Sequence, residues 1–166
     1  MDIEINTISN NMVRVFFREG KLYINDYIAQ LECNSDIMCV SIANDIVIVI
    51  LKVPELDVAV IDAYKSRCQN NVLAFNYEGI LVLNISEIVG ELNFPFSNGF
   101  VATSEFVMNN ITKDILECNH EYYVCNTLEG CCFVIDITDK KVVYRKMKKW
   151  IHRFKDTQIH LKPAHR

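Results

Sequence analysis

No apolar run in this sequence approaches the ~18 residues that a membrane-spanning helix needs. The longest, Ile46–Leu51, has the length of a strand. The N-terminus, MDIEIN, has neither a basic leader nor an apolar h-region, so nothing marks the chain for export and a cytoplasmic protein is expected. The sequons at Asn84 and Asn110 then carry little meaning. The five glycines stand at 20, 79, 90, 99 and 130, a spacing that excludes a P-loop and a GxGxxG turn; GxSxG is missing too. His120-Glu121 begins like the HExxH zinc motif, but Val124 holds the position of the second histidine. Three of the four histidines fall in the terminal segment, at 152, 160 and 165. No CxxC pair occurs among the seven cysteines at 33, 39, 68, 118, 125, 131 and 132. They read as reduced thiols acting as small buried apolar residues, not as metal ligands. Adjacent Cys131 and Cys132 would point to opposite faces of a strand, and Cys118, His120 and Cys125 have no second ligand pair. A Cys118 thiolate activated by His120 is conceivable if both share one strand face, but a core thiol beside a hairpin-edge histidine explains them more simply. Neither catalysis, a cofactor, a bound metal nor a small-molecule substrate is expected.

What the chain does contain is typical of one compact globule: 166 residues, 51% apolar and 23% charged. Short β-rich runs dominate. IEINTI (3–8), MVRVFFR (12–18) and KLYI (21–24) come first, the last two separated by Glu19-Gly20. DIMCVSI (36–42) and IVIVILKV (46–53) flank a turn at 43–45, and the second is apolar on both faces, as a covered central strand would be. Further runs cover 70–85, 100–108, 122–126, 131–137 and 141–147. Turn residues at short, regular intervals give the rhythm of a mainly β, antiparallel meander or sandwich. Two stretches interrupt it. Residues 54–69 read as a helix or an ordered loop. Residues 146–156 place Met147, Trp150, Ile151 and Phe154 on one helical face, which predicts a C-terminal α-helix closing a single domain over 1–156. Residues 157–166 read as a weakly ordered tail.

One hairpin occurs twice. NNVLAFNYEGILVLNI (70–85) returns as YYVCNTLEGCCFVIDI (122–137); a shift of 51 positions lays Glu78-Gly79 over Glu129-Gly130. A period near fifty is blade-like, although the chain is too short for a full propeller of four or more ~40–50-residue blades. The segments NVLAFNYEGILVLNISEIVG (71–90) and EYYVCNTLEGCCFVIDITDKKVV (121–143) resemble a loose group of small bacterial proteins. The shared pattern is an apolar strand, Asn/Asp-x-x-Gly, a second strand, then Ile-x-Glu-Ile. Some members of that group are immunity proteins of toxin delivery systems, including contact-dependent growth inhibition. The resemblance covers about a third of the chain, has Leu83 where a tryptophan would be expected, and transfers no functional residues.

Charge is distributed very unevenly. Residues 1–139 carry 20 Asp/Glu against 7 Lys/Arg, a net of −13, whereas 140–166 carry 10 Lys/Arg and 1 Asp, a net of +9. Such asymmetry concerns partners more than fold. A nuclease-type toxin presents Lys and Arg to phosphates, and an acidic body can cover that surface. The expected function is therefore an immunity protein that binds and neutralises a cognate, basic bacterial toxin. Candidate contacts are Glu55, Asp57 and Asp62 after the central strand and Glu87 and Glu91 after the first hairpin. Tyr64, Tyr77 and Phe96, lying in breaks between strands, are candidate anchors for which core packing competes. A second reading makes the basic, aromatic-interleaved C-terminal segment an adaptor for nucleic acid or an anionic membrane surface. A third treats the acidity as a solvated surface that maintains solubility.

Overall fold

The computed structural model describes residues 3–7, 13–31, 37–53, 70–90 and 95–147. Among the described residues, three four-stranded antiparallel sheets follow one another along the chain, each a simple meander. The first contains β1 (Ile3–Thr7), β2 (Val13–Arg18), β3 (Lys21–Ile24) and β4 (Tyr27–Ile28). The second contains β5 (Ile37–Ala43), β6 (Ile46–Leu51), β7 (Val72–Asn76) and β8 (Leu81–Asn84). The third contains β9 (Phe96–Thr103), β10 (Glu121–Thr127), β11 (Cys132–Asp136) and β12 (Lys141–Lys146). Among the described residues two short helices interrupt the strands: α1 (Ile85–Val89) follows β8 and α2 (Ser104–Asn110) follows β9.

The expected mainly β antiparallel fold is present, as a stack of three sheets. Strand alternation sends Val47, Val49 and Leu51 of β6 into an apolar cluster with Val13, Val15, Phe17, Leu22 and Ile24 of the first sheet. The alternate residues Ile48 and Ile50 join Val72, Ala74, Tyr123, Cys125, Phe133 and Ile135 in the cluster between the second and third sheets. Strand β6 is covered on both faces, as its uninterrupted apolar sequence predicts. The outer face of the third sheet, with Tyr122, Val124 and Val134, is roofed by Val107 of α2 and by Ile111 and Leu116. Buried Asn71 joins the second and third sheets: its Nδ2 donates to Leu51 O (3.1 Å) and Phe96 O (2.9 Å), and its Oδ1 accepts from Phe96 N (3.3 Å).

The sequence repeat has a local cause. In the first copy Asn76 Oδ1 accepts from Ile80 N (3.0 Å), Gly79 N donates to Asn76 O (3.0 Å), and Asn76 N donates to Ile80 O (2.9 Å). In the second, at the same offset of 51, Thr127 Oγ1 accepts from Cys131 N (3.1 Å), Gly130 N donates to Thr127 O (3.0 Å), and Thr127 N donates to Cys131 O (3.0 Å). One turn chemistry is used twice. The copies are nevertheless the third and fourth strands of one sheet and the second and third of the next, so the period of 51 repeats a hairpin and not a sheet.

Three expectations need correction. The run at 100–108 is strand only to Thr103; Thr103 Oγ1 then accepts from Phe106 N and starts α2. Lys146 ends β12 and does not begin a helix; residues 148–156 of the expected C-terminal helix, like the tail at 157–166, lie outside the described residues. Residues 118–120 form the connection into β10, so Cys118 and His120 do not share a strand face. The stretch 54–69 also lies outside the described residues.

Gly79 has φ +81°, and a side chain there would stand 2.9 Å from Ile28 O and 3.2 Å from Ala29 Cα, where β4 abuts the hairpin turn. Gly20 has a similar φ of +75° with open space around it. Gly20→Ala is therefore expected to lose only the left-handed backbone cost, about 1–2 kcal/mol. Gly79→Ala is expected to lose a further 1–3 kcal/mol or so through overpacking. Urea unfolding of both variants tests this; equal losses would mean that the first sheet does not press on the β7–β8 turn.

Candidate functional site

Four connections meet at one end of the stack: the β5–β6 turn, the start of the β7–β8 turn, the segment leading into β10, and the β11–β12 turn. Asn44 N donates to both carboxylate oxygens of Glu121 (3.0 and 3.1 Å). The Tyr77 hydroxyl donates to Ala43 O at 2.9 Å. Burial raises the Tyr77 pKa; a backbone hydrogen bond at Asp45 opposes this, and the charges of Asp45 and Glu121 add to it. Glu121 N donates to Thr138 Oγ1 (3.3 Å) and Ile137 N to Glu121 O (2.9 Å), which carries the connection to the β11–β12 turn. There the Asp136 carboxylate lies 2.8 Å from His120 Nδ1 through Oδ2 and accepts from Asp139 N at 2.9 Å through Oδ1. The Tyr122 hydroxyl donates to Glu117 O (2.9 Å) beneath this group.

The result is a continuous acidic rim comprising Asp45, Glu117, Glu121, Asp136 and Asp139, with Tyr77 and His120 set among the carboxylates. Asp45, Glu117 and Asp139 are exposed, Glu121 is half-buried and Asp136 is buried. The His120 pKa is raised, first by its hydrogen bond to Asp136; desolvation opposes this, and the charges of Asp136, Asp139 and Glu117 add to it. Lys141 Nζ lies 3.9 Å from Asp139 Oδ2, but both side chains are well exposed and such a pair contributes at most about 1 kcal/mol. Two of these carboxylates accept from backbone N–H groups, Glu121 from Asn44 and Asp136 from Asp139, which orients them without adding a formal charge; Asp136 is bonded to His120 as well.

The residues singled out from sequence divide three ways. Tyr77 is half-buried in the rim. Glu87 is exposed in the first turn of α1, away from the rim connections, with its N–H capped by Asn84 Oδ1. Phe96 is a core residue, 1% exposed and packed edge-on against Phe133, so it cannot anchor a partner. Glu55, Asp57, Asp62, Tyr64 and Glu91 lie outside the described residues. Asp45, Glu117, Glu121, Asp136 and Asp139 were not singled out, because only the fold brings such separated positions together.

Other features offer less chemistry. Cys118 is exposed and Cys125 is buried between two sheets; among the described residues they form no metal-ligand group with His120. A cavity of about 750 Å³ is lined mainly by Gln30, Leu31, Asn70, Leu73, Leu81 and Asn84. None of these ionises, and Gln30 and Asn84 are engaged with Leu81 N (3.0 Å) and Asn70 Oδ1 (2.8 Å). In the C-terminal basic segment Val142, Val143 and Tyr144 pack on the core clusters. Arg145 donates to Val89 O (3.1 Å) and lies 5.2 Å from the centre of the Phe133 ring, so this part of the segment serves the fold. No helix among the described residues is long and apolar enough to cross a membrane.

Tyr77→Phe is expected to lower stability by about 0.5–1.5 kcal/mol, the usual worth of one intramolecular hydrogen bond. A midpoint in urea indistinguishable from that of the parent would show that the hydroxyl does not hold the β5–β6 turn.

No protein-family model matches the chain, and no curated protein matches it. A solved structure titled "Crystal structure of HIRA(644-1017)" is similar over 91% of this chain at 15% identity, with a TM-score of 0.42. This chain spans 39% of that one.

Proposed function

We propose that this chain is an inhibitory binding protein of the immunity type, which neutralises a cognate basic toxin by laying its acidic rim over the toxin's cationic working surface. The observation that supports this reading is the convergence of Asp45 and Glu121 around half-buried Tyr77, and of Glu117 and Asp139 around His120, on one end of a three-sheet stack. Three of the body's few cations, Arg14, Arg18 and Lys21, belong to β2 and β3 of the first sheet, and the two arginines stack on Phe16 there. A toxin that grips nucleic acid presents Lys and Arg to phosphates, and a preformed array of carboxylates competes for the same groups. Affinity needs apolar anchors as well as charge. The β7–β8 turn that carries Tyr77 continues into Ile80, Leu81 and Val82, all at least 40% exposed, and β8 is an edge strand. An acidic rim beside an exposed apolar edge suits a protein partner better than a small molecule. On this reading the chain performs no catalysis of its own.

The test is protection of cells expressing the toxin domain encoded beside this chain, together with association kinetics between the two purified proteins. The variant Asp45→Lys/Glu117→Lys/Asp139→Lys is expected to slow association roughly tenfold or more at low ionic strength, with the difference shrinking as salt is added. Failure of the parent chain to protect would refute the inhibitor reading; full protection with an unchanged rate in the triple variant would remove the rim from it.

A further inference from the structure

Within the rim, three side chains form a tighter group with a different chemistry. Asp136 closes β11 with a side chain that is only 2% exposed. Its Oδ2 lies 2.8 Å from His120 Nδ1, and Asp139 Oδ2 lies 3.8 Å from the same nitrogen. One donor atom from each residue lies within 4.8 Å of the other two. The group is held by the fold: Tyr122 pairs with Asp136 across β10 and β11, His120 stands two residues before Tyr122, and Asp139 N is fixed on Asp136 Oδ1.

We propose that His120, Asp136 and Asp139 form a divalent transition-metal site, with Nδ1 of the histidine and one oxygen of each aspartate as ligands. Zinc–nitrogen and zinc–oxygen bonds of about 2.0–2.2 Å place neighbouring ligand atoms roughly 3–3.5 Å apart. The observed separations of 2.8 and 3.8 Å bracket that value, so small side-chain rotations suffice. The buried carboxylate is the second argument. A buried charge is ordinarily paired or metal-bound. Asp136 is paired by the titratable His120 at 2.8 Å, and among the described residues no Lys or Arg pairs with it; the nearby Lys141 ammonium reaches Asp139 instead, so a metal ion can take the place of the Nδ1 proton. One imidazole and two carboxylates suit zinc or another first-row divalent ion, and three protein ligands leave room for water. Binding displaces the proton on Nδ1. The site shares Asp139 with the rim of the inhibitor reading but does not rest on that reading, since an ion can fix the β11–β12 turn whether or not a toxin binds.

The experiment is calorimetric titration of the whole chain with Zn²⁺ alone, with the thermal midpoint measured in parallel. One equivalent is expected to bind and raise the midpoint. Asp139→Ala and His120→Ala are expected to weaken binding tenfold or more, while Cys118→Ser, which alters the exposed thiol two residues from His120, binds as the parent does. Asp139 is 45% exposed, so its replacement leaves the fold intact, which circular dichroism checks. No binding at about 100 μM Zn²⁺, where a micromolar site would be saturated, overturns the proposal. So does binding that survives Asp139→Ala or disappears with Cys118→Ser.

Discussion

Strand β6, at the heart of the middle sheet, is covered on both faces, and the rest of the molecule is arranged around that condition. Val47, Val49 and Leu51 project toward the first sheet and Ile48 and Ile50 toward the third, all between 0% and 3% exposed. Each contributes roughly 1.5–3 kcal/mol through burial, realised only when both neighbouring sheets are in place. Neither outer sheet is an accessory, because removing either would expose half of the apolar side chains of β6. Asn71 adds direction to this non-directional packing. Buried apolar surface can slide, but an amide that satisfies Leu51 O, Phe96 O and Phe96 N at once fixes where the third sheet begins relative to the second.

The hairpin repeat shows what sequence patterns do and do not encode. Glu-Gly with a side-chain acceptor three residues before the glycine specifies a turn, and the hydrogen bonds recur at 76–80 and 127–131. Nothing in that turn determines which strand of a sheet it follows. Sheet position is set by the strands outside the repeat, whose pairing depends on long-range burial. The double-faced β6, the antiparallel meander and most strand bounds were legible because they rest on period-two patterning. The helices α1 and α2 were not, since five and seven residues are too few to show a helical period, and their signals were single capping residues, Asn84 and Thr103.

The candidate site was legible as charge and illegible as place. Counting residues found an acidic body, but Asn44 and Glu121 are 77 positions apart in the chain and meet only because the β5–β6 turn, which carries Asp45, reaches the start of β10. His120 was noticed beside Cys118, its neighbour in sequence. Its actual partner is Asp136, sixteen residues on, brought near by the β10–β11 register. Phe96 looked available because it follows a break between strands, yet as the first residue of β9 it turns inward. Position in a loop-like stretch of sequence is a weak guide to exposure when the adjoining strand sets the direction of the side chain.

Gathering carboxylates at one end has a cost in self-repulsion, and the way it is offset bears on function. A structural solution would set a Lys or Arg against each carboxylate, cancelling the charge. Here Glu121 is held by Asn44 N, Asp136 by Asp139 N and His120, and Asp139 has only the exposed Lys141 nearby, so backbone dipoles and one imidazole orient the groups and most of the negative charge persists. Cations of the body stack on the first sheet instead, where Arg14 and Arg18 flank Phe16. On the reading proposed above, an acidic rim on a scaffold fixed by two-sided burial would be preorganised for a cationic partner. Glu121 and Asp136 are already held, so these two side chains have little ordering entropy left to lose on association.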